Sequence, residues 1–319
     1  MKIVVLDGYV LNPGDLSWDN LKALGEVTIY ERTAYVDAEI SERIGDAELL
    51  LTNKTPINEQ VLAAAPNLQY IGVLATGYNV VDTEAARKHG IVVTNIPTYA
   101  TEAVAQFTFA LLLEIANQVG LHNQSVHAGE WTNSLDFSYT KHPLMELQGK
   151  VFGMVGFGHI ARATAKIVHA FDMKVIFYNH RPKEFSEEWL TQVSLEELYQ
   201  QSDIISLHVP QNSDTEKMIN EDSLKKMKDK VILLNTSRGG LIDEAAVAEA
   251  LKSGKLQAFA ADVVSTEPIK ADNPLLSAPN SYLTPHIAWQ AVESRQRSMG
   301  IAVDNVKGFL AGHIKNQVN

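Results

Sequence analysis

Short runs of aliphatic and β-branched residues alternate with helix-like stretches along almost the whole chain. In the N-terminal third the apolar runs are "KIVVLD", "AELLLT", "LQYIGVL" and "GIVVTN". Between them lie "SWDNLKALG", "AEISERIG", "NEQVLAAAP" and "TEAARKHG", which read as helices. A second set of runs follows: "KVFGMVG", "KVIFYN", "SDIISLHVP", "VILLNTS", "QAFAADV" and "NSYLTP". These runs are apolar at consecutive positions rather than alternate ones. That pattern predicts parallel strands covered by helices on both faces. The fold class expected is therefore α/β, with two Rossmann-like or flavodoxin-like domains that share no residue-level repeat.

Two longer patterns join the sets. Residues 101–118, "TEAVAQFTFALLLEIANQ", are apolar almost all round and predict a buried helix, placed by its position between the domains. Residues 291–312 show helical periodicity and are expected to pack back on the first unit. No Gly/Ser-rich linker occurs, so the boundaries should be short hinges near Ala100 and His286.

Composition narrows the function. A chain of 319 residues has room for two domains, and 45% apolar with 20% charged residues is an ordinary globular mixture. The net charge of −11 argues against nucleic acid or an anionic membrane surface as main partner. With no cysteine, disulfides, thiolate catalysis and zinc–thiolate sites are excluded. "MKIVVLDG" leads straight into a strand without a signal pattern, so a cytoplasmic location is the default expectation. His122 and His127 are five apart and would not share a helix face, and no HExxH, paired-carboxylate or P-loop pattern occurs. No metal site is expected.

The most informative stretch is "KVFGMVGFGHIARATAKIVHAF". It reads as a strand, a glycine turn and a helix, with the pattern Gly156-x-Gly158-x-x-Ala161. Gly156 permits the tight turn, Gly158 lets a pyrophosphate approach the backbone, and Ala161 allows close helix–strand packing. The amides of His159 and Ile160, at the positive helix end, would face the phosphates. An acidic residue that grips the ribose is expected about twenty residues on. The sequence has Asn179 there, followed by His180 and Arg181. Asparagine does not repel a 2′-phosphate and Arg181 can pair with one, so the expected cofactor is NAD(P)(H) with a modest lean to NADP(H).

Three ionisable residues fall after apolar runs of the second set. They are Arg238 after "VILLNTS", Glu267 after "AFAADVVST" and His286 after "SYLTP". In open α/β sheets ligands bind beyond the carboxyl ends of the strands. An arginine there can hold a carboxylate through two parallel hydrogen bonds. A histidine can exchange a proton with a substrate oxygen near neutral pH, and a neighbouring carboxylate would orient it and favour its charged form. Together they suit hydride transfer between a hydroxy acid and a nicotinamide.

The segments "GKVFGMVGFGHIA", "SDIISLHVP", "VILLNTSRGGLIDEAAVAEAL", "AADVVSTEP" and "LTPHIAW" resemble the D-isomer-specific 2-hydroxyacid dehydrogenase family over nearly the whole chain. The resemblance implies a cofactor domain, residues 101–287, inserted in a substrate domain of residues 1–100 plus 288–319. It implies that Arg238 binds substrate, Glu267 partners the histidine and His286 is the acid/base. "VLATGYNVVD" resembles the family's substrate loop, where amides around Ala75, Thr76 and Gly77 would meet the substrate carboxylate. Lys54 matches a position near substrate, and Trp289 is expected as a pocket wall. The turn His208, Val209 and Pro210 would pass under the adenosine. Thr236, Ser237 and Arg238 would lie at the nicotinamide, and Asp262 would reach its carboxamide.

Within that family the "ATGYN" loop and the "HIAW" ending are most similar to glycerate dehydrogenase and hydroxypyruvate or glyoxylate reductase members. The expected activity is reduction of a small 2-oxo acid to the D-2-hydroxy acid. A D-lactate-type enzyme is the alternative. A non-catalytic, NAD(H)-sensing corepressor-like role is the alternative from another class, disfavoured by the complete Arg/Glu/His set. No regulatory extension follows Asn319, which argues against the longer phosphoglycerate dehydrogenases. The resemblance also implies a homodimer.

Overall fold

The computed structural model describes residues 1–319. The chain divides into two compact units, one of residues Met1–Ala100 with Gln290–Asn319, the other of Thr101–Trp289.

The first unit has five strands: β1 (Lys2–Val5), β2 (Glu26–Ile29), β3 (Leu49–Thr52), β4 (Tyr70–Val73) and β5 (Val92–Thr94). All pair in parallel, in the order β2-β1-β3-β4-β5. Its helices are α1 (Gly8–Leu11), α2 (Asp19–Lys22), α3 (Asp37–Ile44), α4 (Glu59–Ala63) and α5 (Thr83–Lys88). Asn58 and Asp82 cap α4 and α5 by accepting the amides of Val61 and Ala85. The strand order reverses between β1 and β3, a flavodoxin-like switch point.

The second unit opens with α6 (Thr101–Asn117) and α7 (Val119–His127). Then come β6 (Val151–Val155), α8 (His159–Ala170), β7 (Lys174–Tyr178), β8 (Leu190–Gln192), α9 (Leu195–Gln201) and β9 (Ile204–Leu207). The unit ends with α10 (Glu221–Lys226), β10 (Val231–Asn235), α11 (Glu244–Lys252), β11 (Leu256–Ala261) and β12 (Ser281–Leu283). The sheet is fully parallel, β12-β11-β10-β9-β6-β7-β8, and reverses between β6 and β9. Successive strand residues feed opposite cores, as the period of two demands. Phe152, Met154, Ile232 and Leu234 join Phe109, Leu112 and Ala165 of α6 and α8 on one face. Val155, Leu233 and Phe259 join Leu198, Val247 and Leu251 on the other. Each of these side chains larger than alanine contributes roughly 1.5–3 kcal/mol by leaving water.

Helix α6 is buried as expected, and it belongs to the second unit, packed on α8 rather than standing as a separate connector. The last helix, α12 (Val292–Leu310), lies in the first unit and packs on β4. Beyond it the tail bridges the β5 edge: Thr94 pairs with Gln317, and Val93 N donates to Asn319 Oδ1 at 2.9 Å. No single helix is long and apolar enough to cross a membrane.

Candidate active site

The glycine turn sits where the second sheet reverses. Gly156 has φ +94°, and a Cβ on it would lie 2.5 Å from the carbonyl oxygen of His208 at the end of β9. Both facts demand glycine. Gly158, the N-cap of α8, carries no side chain to cap the helix, and a Cβ built on it would meet nothing within 4 Å. The first turn has no acidic residue, so the positive end of α8 is uncompensated beside open space. Ala161 is fully buried against the sheet. A pyrophosphate fits this cradle in charge and in room. His159 is exposed and Ile160 half-buried at its rim.

Asn179, at the end of β7, has both ends of its amide engaged. Its Oδ1 accepts from Phe157 N at 3.3 Å, and its Nδ2 donates to Arg181 O at 2.8 Å. The residue expected to face the ribose thus ties the glycine turn to the Arg181 turn. His180 and Arg181 are exposed. The His208 imidazole shares a hydrogen bond with Ser206 Oγ at 2.9 Å, and burial pushes it down to about 4, so it is neutral at pH 7. Val209 and Pro210 continue this turn, half-buried and exposed respectively.

After β10 the chain turns sharply. Thr236 shares a 2.8 Å hydrogen bond with Thr108 of α6, and Ser237 Oγ donates to Leu207 O at 2.6 Å. Arg238 is exposed, and its Nη1 donates to Ser237 O at 2.7 Å. Gly239 packs flush on the backbone of Val264 and Ser265, where any Cβ would overlap. The Arg238 turn therefore rests on the Glu267 loop. Glu267 Oε2 lies 2.6 Å from His286 Nδ1. That contact makes Nδ1 the donor and leaves Nε2 for another partner. His286 has φ +56°, uncommon for a residue with a side chain.

Asp262, expected at the carboxamide, also has a role within the chain. It is 1% exposed and its carboxylate holds the His286 loop. Oδ1 accepts from Thr284 Oγ1 at 2.6 Å and Ile287 N at 2.9 Å, and Oδ2 from Ala288 N at 2.7 Å. Burial raises its pKa, opposed by those hydrogen bonds and by the charge of His286. Only the free side of Oδ2 is left for a carboxamide N–H. Trp289 is half-buried at the end of this unit.

In the first unit the carbonyls of Leu74, Ala75 and Thr76 accept from Asn53 Nδ2 at 3.3 Å, Ile96 N at 3.1 Å and Asn95 Nδ2 at 2.8 Å. In a trans peptide the N–H points opposite its carbonyl. The amides of Ala75, Thr76 and Gly77 are thereby turned away from those partners and find no acceptor in the chain. Lys54 is exposed on the loop after β3. That loop is held by Asp7 at the end of β1, whose carboxylate takes the amides of Asn53, Lys54 and Thr55 at 2.7, 2.6 and 2.8 Å and the Thr55 hydroxyl at 3.1 Å. The sequence reading missed Asp7 and Asn235. The signal available was a polar residue directly ending an apolar run, as in "IVVLD" and "VILLN".

Residues 109–288 match the family described as D-isomer specific 2-hydroxyacid dehydrogenase, NAD binding domain. The chain is 53% identical to the hydroxypyruvate reductase of Blautia hydrogenotrophica over 321 residues, covering 100% of both. It is 40% identical to the glycerate dehydrogenase of Methylorubrum extorquens, covering 91% of this chain and 90% of that one. Among solved structures it is similar to an NADPH-dependent glyoxylate/hydroxypyruvate reductase of Sinorhizobium meliloti in complex with NADP and malonate. There the TM-score is 0.83 at 29% identity, covering 99% and 96% of the two chains.

Proposed function

The chain belongs to the D-isomer specific 2-hydroxyacid dehydrogenase family, and on that premise we propose that it reduces hydroxypyruvate and glyoxylate to the D-2-hydroxy acids. It is an NAD(P)-dependent oxidoreductase of CH–OH donors. The observation that carries the catalytic reading is the 2.6 Å Glu267–His286 pair, on the loops that follow β11 and β12 of the sheet that also carries the glycine cradle. Four strand spacings of about 4.8 Å separate β6 from β12, a span suited to an extended dinucleotide. A nicotinamide dinucleotide held by these residues would supply the hydride that reduces C2 of the 2-oxo acid.

The residues do the rest. In the second unit Arg238 binds the substrate carboxylate and Trp289 is a pocket wall; in the first, the amides of Ala75, Thr76 and Gly77 and the Lys54 ammonium are the substrate-binding groups. Glu267 keeps His286 Nδ1 occupied, so the proton leaves from Nε2 to the developing C2 alkoxide. His159, Ile160, Gly156 and Gly158 bind the pyrophosphate. His208, Val209 and Pro210 floor the adenosine, while Thr236, Ser237 and Asp262 border the nicotinamide. NADP(H) is the preferred dinucleotide in this reading: Arg181, beside His180, pairs with the 2′-phosphate, which the uncharged Asn179 amide does not repel. The protein acts in the cytoplasm as a homodimer.

Replacing His286 with alanine should lower kcat/KM for hydroxypyruvate and glyoxylate by about 10²–10⁴-fold. Dinucleotide affinity, measured separately by fluorescence titration, should stay unchanged. Turnover within a few fold of the parent would remove His286 as proton donor. Dinucleotide binding without turnover of any 2-oxo acid by the parent protein would instead favour a sensing role.

A further inference from the structure

Two buried polar residues at neighbouring strand ends lie directly beneath the Arg238 and His286 turns. Asn235 closes β10 and is 0% exposed; Asp262 follows β11 and is 1% exposed. A main-chain hydrogen bond joins them, Asp262 N to Asn235 O at 3.1 Å. The Asn235 side chain is wholly committed to the Arg238 turn: Nδ2 donates to Arg238 O at 2.9 Å, and Oδ1 accepts from Ser237 N at 3.1 Å. The Asp262 side chain is committed to the His286 turn through Thr284, Ile287 and Ala288. Those three residues flank Pro285 and His286 on both sides. They hold the backbone that keeps His286 at φ +56°, a conformation that persists only where its surroundings enforce it.

We infer that Asn235 and Asp262 form a paired underlay that sets the directions of the Arg238 guanidinium and the His286 imidazole, and that both are positioning residues of this reaction. The inference rests on the functional reading above, in which Arg238 binds the carboxylate and His286 delivers the proton. The chemistry requires such support. The imidazole must aim Nε2 at one oxygen while Glu267 holds Nδ1, and misplacement by an ångström costs about 10²-fold in rate. Glu267 fixes the ring from one side only; Asp262 fixes the chain that carries it. Asn235 does the same for Arg238, whose turn is already locked by Gly239 against Val264 and Ser265.

A double-mutant cycle with the full chain tests this. Asp262→Asn keeps the volume but replaces an acceptor facing an amide with a donor. It should lower kcat for hydroxypyruvate about 100-fold in the parent and within about 3-fold in a His286→Ala background. Asn235→Asp removes the donor to Arg238 O. It should raise KM for the 2-oxo acid about 10-fold or more in the parent, and within about 3-fold in an Arg238→Ala background. Dinucleotide affinity should hold within about 3-fold in the Asn235→Asp variant; Asp262 borders the nicotinamide in the functional reading, so for Asp262→Asn the dependence of the kcat loss on His286 is the deciding readout. Equal losses in both backgrounds would overturn the inference, because a general structural role or a carboxamide contact does not depend on His286. If Asp262→Asn does not fold, Thr284→Val removes one of the three bonds and keeps the charge. It should cost several-fold in kcat only when His286 is present, and no such difference would overturn the inference. The His286→Ala and Arg238→Ala single variants report on the underlying reading independently. If they retain turnover, that reading fails, whatever the cycle gives.

Discussion

At the scale of single residues, chemistry and support are divided between different side chains. Arg238, His286 and Lys54 carry charge or a proton and stand at loops; Asn235, Asp262 and Asp7 lie beneath them and bind only backbone amides, carbonyls and hydroxyls. The proposed cofactor choice follows the same division. Asn179 is occupied by Phe157 N and Arg181 O, so it orients the Arg181 turn and leaves the charge to Arg181. If Arg181 pairs with a 2′-phosphate, Arg181→Ala should lower kcat/KM with NADPH about 10-fold or more, the scale of a lost charge-assisted hydrogen bond. With NADH it should change less than about 3-fold. An unchanged NADPH/NADH ratio would make Arg181 a surface charge only.

At the scale of elements, the sequence revealed what is buried on two faces and hid what is not. The long apolar runs are β1, β3, β4, β6, β7, β9, β10 and β11, each closed in by helices or by flanking strands. Strands β2 and β8 are the sheet edges that the reading passed over. Their "EVTI" and "LTQ" are short, half exposed and without a continuous apolar signal. The glycine cradle and the Arg/Glu/His set were legible because each stands beside a strong strand signal. Asp7 was not, because its partners lie 46–48 residues away and no local pattern marks them. Also unforeseen was the arm after α7. It is braced by Trp131 Nε1 to Phe137 O at 2.9 Å, Lys141 N to His122 Nε2 at 3.1 Å and the Ser125–Tyr139 pair at 2.5 Å. Yet Leu135 and Phe137 are 102% and 91% exposed. In the homodimer proposed above, a second copy of the chain would cover these side chains. Sedimentation should give a dimer at micromolar concentration, and Leu135→Asp with Phe137→Asp should shift it toward monomer. A monomeric parent would refute this.

At the scale of the whole molecule, the second unit is one uninterrupted stretch with its own seven-stranded sheet and a core on each face. The cradle and the Arg238–Glu267–His286 set all belong to it. A fragment of residues 101–289 should therefore fold and bind dinucleotide with near-parent affinity while reducing no 2-oxo acid, since it lacks Lys54 and the Ala75, Thr76 and Gly77 amides. Circular dichroism and fluorescence titration would check both halves of this, and a fragment that does not fold would contradict it.

The first unit is stitched from both termini, with α12 against β4 and Asn319 bonded to Val93 and Ile91. During synthesis this sets an order. The first hundred residues emerge and must wait, because the helix and tail that cover them are made last. The intervening unit can be finished before its neighbour is closed. On that order the dinucleotide-binding part would be complete on the ribosome before the opening strands gain their covering helix, and those strands would have the longest time uncovered.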